Sequence, residues 1–322
     1  MPSPRLVAAM LFAVFVKTLT APAIADDVIA GHVIDRPSSG LVLGSVLVLG
    51  VGLSLVPMRA DHALWQHELF GDDDAAVRAN FSLRAAQISD AALAATVAAP
   101  ILYLTGSTIE DADGDRLLIL GESLAINLAV FEGVKHLVQR PRPYLYSTSP
   151  DVARYANSQG DDAYQSFYSA HAATAFCAAT AGAYLAAVSS GDHRVRSFAW
   201  GGGFAAAAAV ANLRVRAGKH FYSDVAVGSA IGIAIGYAVP ALHADGRPYV
   251  PDLGDLGAAV AGLLGGGLIS ELLPLAHPHD DVRGTSPPVV VQRSRVSRTL
   301  HALHLGPTPI PSGAGIGIGG AL

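Results

Sequence analysis

The chain has a single cysteine in 322 residues, and only 15% of its residues are charged, against roughly 25% in an average soluble domain. One thiol, Cys177, excludes an intrachain disulfide framework and a cysteine-based zinc cluster. Phe176 and Ala178 flank it, the setting of a small core residue rather than an activated nucleophile. Positive charge is scarce: 21 Lys and Arg against 26 Asp and Glu give a formal charge of −5. With no basic stripe, a nucleic-acid partner is not expected. Low charge and a mean hydropathy of +0.40 exclude a disordered chain. Apolar residues are abundant, at 51%, and the length allows one or two domains with a full core. An exported or membrane-embedded helical protein remains.

Residues 1–25 read as a secretory signal: Arg5, an apolar run over 6–16, then Ala23-Ile24-Ala25 as the cleavage pattern. Lys17 stops that run well short of the ~20 residues a membrane span needs. A linker over 26–40 leads to a helical domain over 41–245. Within it, apolar segments recur at 41–56, 91–104, 117–131, 172–188, 198–213 and 225–242. None alternates strictly in twos, so each predicts a helix. Pro57, Pro100, Pro143 and Pro240 sit at or near segment ends, and polar stretches at 71–74, 106–115, 147–160 and 189–193 separate them. The expected fold is all-α, a six-helix bundle. Three of the helices are rich in Ala and Gly, which favours close packing over insertion into lipid, so a soluble and a membrane-spanning bundle both stay open. Residues 246–322 form a C-terminal extension in which 256–275 is Gly-rich and apolar, and GAGIGIGGAL has the period of one short strand.

Reactive residues collect in three short segments near helix ends. The first, KHLVQRPRP, offers Lys135 and Arg142, a point charge and a planar fork that suit a tetrahedral oxyanion; a positive helix end answering the macrodipole is the plainer reading. The second, FYSAH, opens a helix, so Ser169 and the backbone N–H groups there can attract an anion and His171 can give a proton; an ordinary N-cap is the plainer reading. In the third, RVRAGKHFYSD, His220 and Asp224 stand four apart and Arg214 adds a cation. A carboxylate on one imidazole nitrogen would leave the other as nucleophile or base; a solvated basic loop with a capping Asp is the alternative. Two antiparallel helices join the second segment to the third, which returns all three to one end of a bundle.

Together these residues resemble the type-2 phosphatidic acid phosphatase and vanadium haloperoxidase superfamily, over about residues 90–242. Lys135 with Arg142-Pro143 fits its first motif, Ser169 and His171 its second, and Arg214, His220 and Asp224 its third. Tyr168 stands where the family has proline, Ala170 where it has glycine and Leu213 where it has serine. The resemblance implies a helical phosphatase acting on a phosphate monoester or pyrophosphate, most naturally of a lipid. His220 would be the nucleophile that becomes phosphohistidine, Asp224 would orient its ring, and His171 would be the acid. Lys135, Arg142, Arg214, Ser169 and the Ser169–His171 amides, Ala170 among them, would hold the phosphate. It implies no cofactor; vanadate enters only in the alternative, a haloperoxidase with His220 as the metal-oxo ligand. A decayed, non-enzymatic membrane or assembly protein is the third reading.

Location follows less directly. A cleaved signal leaves the mature N-terminus outside, and three crossings would then put the site inside, whereas the resemblance implies an outward-facing site. Arg194 and Arg196 in one short loop favour a cytoplasmic loop and a periplasmic active end, in the inner membrane or in a soluble periplasmic bundle. Other constellations carry less. Asp111, Asp113, Asp115 and Glu122 imitate a calcium loop, yet Arg116 occupies the glycine position. His277, His279, Asp280 and Asp281 read as polar linker, and His62, His67 and Glu68 lack the spacing of a zinc hydrolase.

Overall fold

The computed structural model describes residues 34–56, 71–106, 111–190, 192–245 and 247–275, with the backbone of 304–310 and 313–319. The signal, Pro57 and the two histidine groups around 62–68 and 277–281 lie outside the described residues. In chain order the α-helices are α1 (Arg36–Ser54), α2 (Asp72–Ala76), α3 (Leu83–Gly106), α4 (Asp111–Val138), α5 (Pro150–Gln159), α6 (Ala170–Ser189), α7 (His193–Arg216), α8 (Tyr222–Leu242) and α9 (Leu253–Glu271). All six apolar segments are helical.

Three α-helices, α2, α5 and α9, fall outside the six apolar segments. The polar stretch 147–160 holds α5, because Pro150 sits in its first turn and Val152 and Ala156, one turn apart, face inward. The Gly-rich segment after residue 252 becomes α9, opened by a reciprocal cap in which Asp252 accepts from Asp255 N–H at 2.9 Å. Pro100, expected at an end, lies inside α3. Its ring packs on Gly182 of α6, where a Cβ would stand 2.6 Å from the proline Cβ. The four acids resembling a calcium loop lie on continuous α4, where Asp115 pairs with Arg36 and Glu122 with His243. A helix cannot wrap an ion as a loop does.

Neighbouring contacts give each long helix its direction. Arg36 meets Asp115 at one end of α1 and α4, and His136 meets the Val56 carbonyl at the other, so these two helices are parallel. Arg196 reaches Asp255 at the starts of α7 and α9, and Arg216 reaches the Ser270 carbonyl at their ends. The helices α1, α4, α7 and α9 therefore run one way, and α3, α6 and α8 run back. Gly228, Gly232 and Gly236 on α8 lie over the carbonyls of Ser169, Ala173 and Cys177 on α6, with only 2.2–2.6 Å for a Cβ. This small-residue seam is the close approach that holds helices together where lipid is as apolar as leucine. Cys177 sits in the adjoining core with Leu104, Ile119, Leu120, Leu185 and Ile235.

Helices α1, α3, α6, α8 and α9, and the stretch Gly114–Tyr146 that contains most of α4, are long and apolar enough to cross a membrane. Outward residues such as Leu41 at 74% and Val48 at 75% exposure suit acyl chains. Six stretches of this length and composition favour an integral membrane protein over the soluble alternative. Beyond residue 290 lies a separate unit, an antiparallel hairpin of β1 (His304–Ile310) and β2 (Gly313–Gly319) that pairs His304 with Gly319 and Ile310 with Gly313. The expected single strand has acquired a partner, as its backbone N–H and C=O groups require.

Candidate active site

The site lies where α4 and α7 end and α6 and α8 begin. Chain geometry brings the third segment there through Gly218, whose φ is +69° and whose missing Cβ would lie 1.9 Å from the Asn80 carbonyl. Only glycine fits that turn. At the start of α6, Ser169 is the N-cap, its hydroxyl accepting from Ala172 N–H at 3.3 Å. The first-turn N–H groups that follow lack helical partners and face out of the helix end.

A cavity of about 290 Å³ opens there, and six of the eight expected site residues line it: Lys135, Arg142, Ala170, His171, Arg214 and His220. Leu93 and Phe131 make its apolar side. Ser169 and Asp224 are fully buried behind it. Of the departures from the family pattern, Leu213 faces an apolar cluster with Ala85, Ala86 and Ala217 rather than the cavity, and Tyr168 is buried.

His220 is 2% exposed and held from both nitrogens. Nδ1 lies 2.7 Å from the Ser166 carbonyl, which can only accept, so the proton belongs on Nδ1. Nε2 then presents its lone pair, 3.2 Å from Arg142 Nη1. Burial, then the charges of Arg142 and Arg214, push the imidazole pKa well below its usual value. A neutral imidazole with one fixed tautomer is the form a nucleophile needs.

Asp224 was expected on the ring. Its nearest oxygen is 3.8 Å from Nδ1, and it acts instead on what holds the ring. It accepts from Ser166 Oγ at 2.5 Å, Phe221 N–H at 2.8 Å and Arg140 Nη1 at 2.6 Å. Four-residue spacing brings the pair to one side of the turn, but the Phe221 amide claims the carboxylate first, as an N-cap partner.

Cations surround the cavity. Arg142 donates to the Asp162 carbonyl at 2.7 Å, to its carboxylate at 2.7 Å and to the Lys219 carbonyl at 2.9 Å. Lys135 lies 3.8 Å from Glu132 and 5.0 Å from the Phe131 ring centroid. Arg214 donates to Asp90 at 3.2 Å, and its buried Nε has no hydrogen-bond partner. Burial and repulsion from Arg142 bring the Lys219 amine down to about 8. Burial alone would raise Asp162; Arg142 and Lys219 hold it below the usual carboxylate range.

Sequence reasoning missed four residues of this centre. Asp90 accepts from His171 Nε2 at 2.8 Å as well as from Arg214. Its place as the one carboxylate of α3, at the edge of an apolar segment, was the available signal. Asp162, Arg140 and Asp74 were hidden in segments read as loop or as helix end. No group of three or more metal-ligating His, Cys, Asp or Glu side chains occurs among the described residues.

Residues 116–247 match the PAP2 superfamily. The chain carries a PAP2 superfamily domain. No curated protein and no solved structure matches the chain. The PAP2 match covers less than half of the sequence but contains every expected site residue, from Lys135 to Asp224. It implies the acid phosphatase helical fold and a phosphatase-like function. Asp74 and Asp90 precede the PAP2 domain.

Proposed function

We propose that this protein hydrolyses a phosphate monoester or pyrophosphate of a lipid through a phosphohistidine at His220. The observation that carries the reading is the His220 ring held with Nδ1 on a carbonyl and Nε2 turned toward Arg142, in a cavity lined by Lys135, Arg142 and Arg214. Nε2 attacks phosphorus, and the bond from phosphorus to the leaving oxygen breaks. Lys135, Arg142, Arg214 and the Ala170 and His171 amides stabilise the equatorial oxygens. Ser169 supports them by fixing the start of α6. In its imidazolium form, with Nε2–H on Asp90, His171 delivers the Nδ1 proton to the leaving oxygen and becomes neutral. Water then attacks the phosphohistidine, gives its proton back to His171, and phosphate departs. Leu93 and Phe131 beside the cations, at the end of a membrane bundle, favour an amphipathic substrate.

We also propose that the active end faces the periplasm, on the grounds that Arg194 and Arg196 lie at the opposite end of α7. The test of function is phosphate release from a lipid phosphate, a prenyl pyrophosphate and a water-soluble ester by protein in detergent. Turnover blocked by vanadate and absent in His220→Ala is expected. Turnover that survives His220→Ala overturns the mechanism, and bromide oxidation by peroxide in vanadate-loaded protein would replace it with the oxidative alternative.

A further inference from the structure

Asp74 lies in α2, ahead of the PAP2 domain, and is fully buried. Its carboxylate accepts from Ser223 N–H at 3.0 Å, Ser223 Oγ at 2.5 Å and Arg140 Nη2 at 3.0 Å. Those partners lead to the nucleophile by two routes. Along the first, Arg140 Nη1 donates to Asp224 at 2.6 Å, Asp224 accepts from Ser166 Oγ at 2.5 Å, and the Ser166 carbonyl takes His220 Nδ1–H at 2.7 Å. Along the second, Ser223 stands in the first turn of α8, three residues past His220, so Asp74 fastens the turn from which the ring projects. Arg140 is clamped further by the Phe221 ring, 4.1 Å from its guanidinium carbon to the ring centroid.

Charge gives the arrangement its direction. One guanidinium serves two carboxylates, so Asp74 draws part of Arg140's charge away from Asp224. Asp224 keeps more of its negative field for the imidazole, which becomes cationic as the bond to phosphorus forms. We propose, building on the phosphohistidine reading, that Asp74 is a positioning residue for His220. The catalytic unit then extends at least forty residues ahead of the matched domain. Asp74 does not line the cavity, so its influence falls on the chemical step and not on phosphate binding.

The experiment compares Asp74→Asn with wild type in detergent, per folded molecule, on one lipid phosphate. Support groups behind a metal-bound histidine are worth about 10–100-fold, and the buried His220 ring is expected to depend on its support on the same scale. A kcat loss of that size is expected, with KM and the inhibition constant of inorganic phosphate within about threefold. A rapid-quench measurement should show slower phosphoenzyme formation. Equal kcat overturns the proposal, and so does a proportional loss of kcat and phosphate affinity, which a merely structural role would give. Should Asp74→Asn fail to fold, Ser223→Ala, which removes one Asp74 contact and one Arg140 contact of the same network, must show the same split on a scale of about three- to tenfold, and an unchanged kcat there sinks the idea. Wild type without phosphatase activity refutes the underlying hydrolase reading, whereas active wild type with an indifferent variant refutes Asp74 alone.

Discussion

At opposite ends of the bundle, one arginine is gripped by two aspartates. At the active end Arg140 lies between Asp74 and Asp224, with side chains 2%, 0% and 0% exposed. At the far end Arg196 lies between Asp252 and Asp255, at 21%, 50% and 0%. Each knot carries an aromatic ring, Phe221 in the first and Tyr249 in the second. Their settings divide them: the first is dry on every side, while water reaches Arg196 and Asp252. The chemistry is the same, but a dry ion pair loses its partner at far greater cost, because water cannot take the partner's place. The far knot fastens α9 to α7; the near one positions the turn that carries His220.

The difference is sharpest on deletion of the arginine. Arg140→Met strands two buried carboxylates and is expected to destabilise the fold by about 3–5 kcal/mol, read by denaturant titration in micelles. A loss under 1 kcal/mol would show that water enters the near knot. A smaller effect reads the near knot by pH. Burial alone would raise the Asp74 pKa, but its bonds with Ser223 and Arg140 hold it below the usual value. A depressed folded pKa means that its stabilisation is complete above the unfolded value near 3.9 and disappears as pH falls through the folded one. Thermal unfolding between pH 6 and 3 should therefore fall less steeply in Asp74→Asn than in wild type, and parallel curves would contradict the assignment. The smallest effect belongs to Arg196→Met, about 1 kcal/mol after allowance for solvent screening, measured by the same titration. A loss matching that of Arg140→Met would erase the distinction between wet and dry.

Much of this was legible in the chain. The apolar segments announced their helices, because length and lack of two-residue alternation leave few other outcomes. Lys135, Arg142, His171, Arg214 and His220 could be placed on one cavity from connectivity and motif. What stayed hidden depends on packing between distant segments. Pro100 looked like a stop signal until Gly182 supplied room for its ring. Asp90 is a lone acid and Asp74 the last of three consecutive aspartates, with no motif around either, and both become significant only once Arg140, His171 and Arg214 are seen to reach them. Asp224 sat at the right spacing yet meets the Phe221 amide and Ser166 hydroxyl rather than the imidazole.

The seven long helices that alternate in direction are odd in number, and that parity has a cellular consequence. Arg36 starts at the far end and Glu271 finishes at the active end, so a bundle that spans a membrane in this arrangement holds its two ends on opposite sides. Whatever sorts the first residues of the chain thereby chooses where phosphate would be released. An N-terminus delivered outside, as cleavage after Ala25 would deliver it, turns the active end inward when α1 crosses; a periplasmic active end needs Arg36 to start from the cytoplasm. One added or lost crossing ahead of α1 would transfer the reaction to the other compartment while leaving every atom of the site in place.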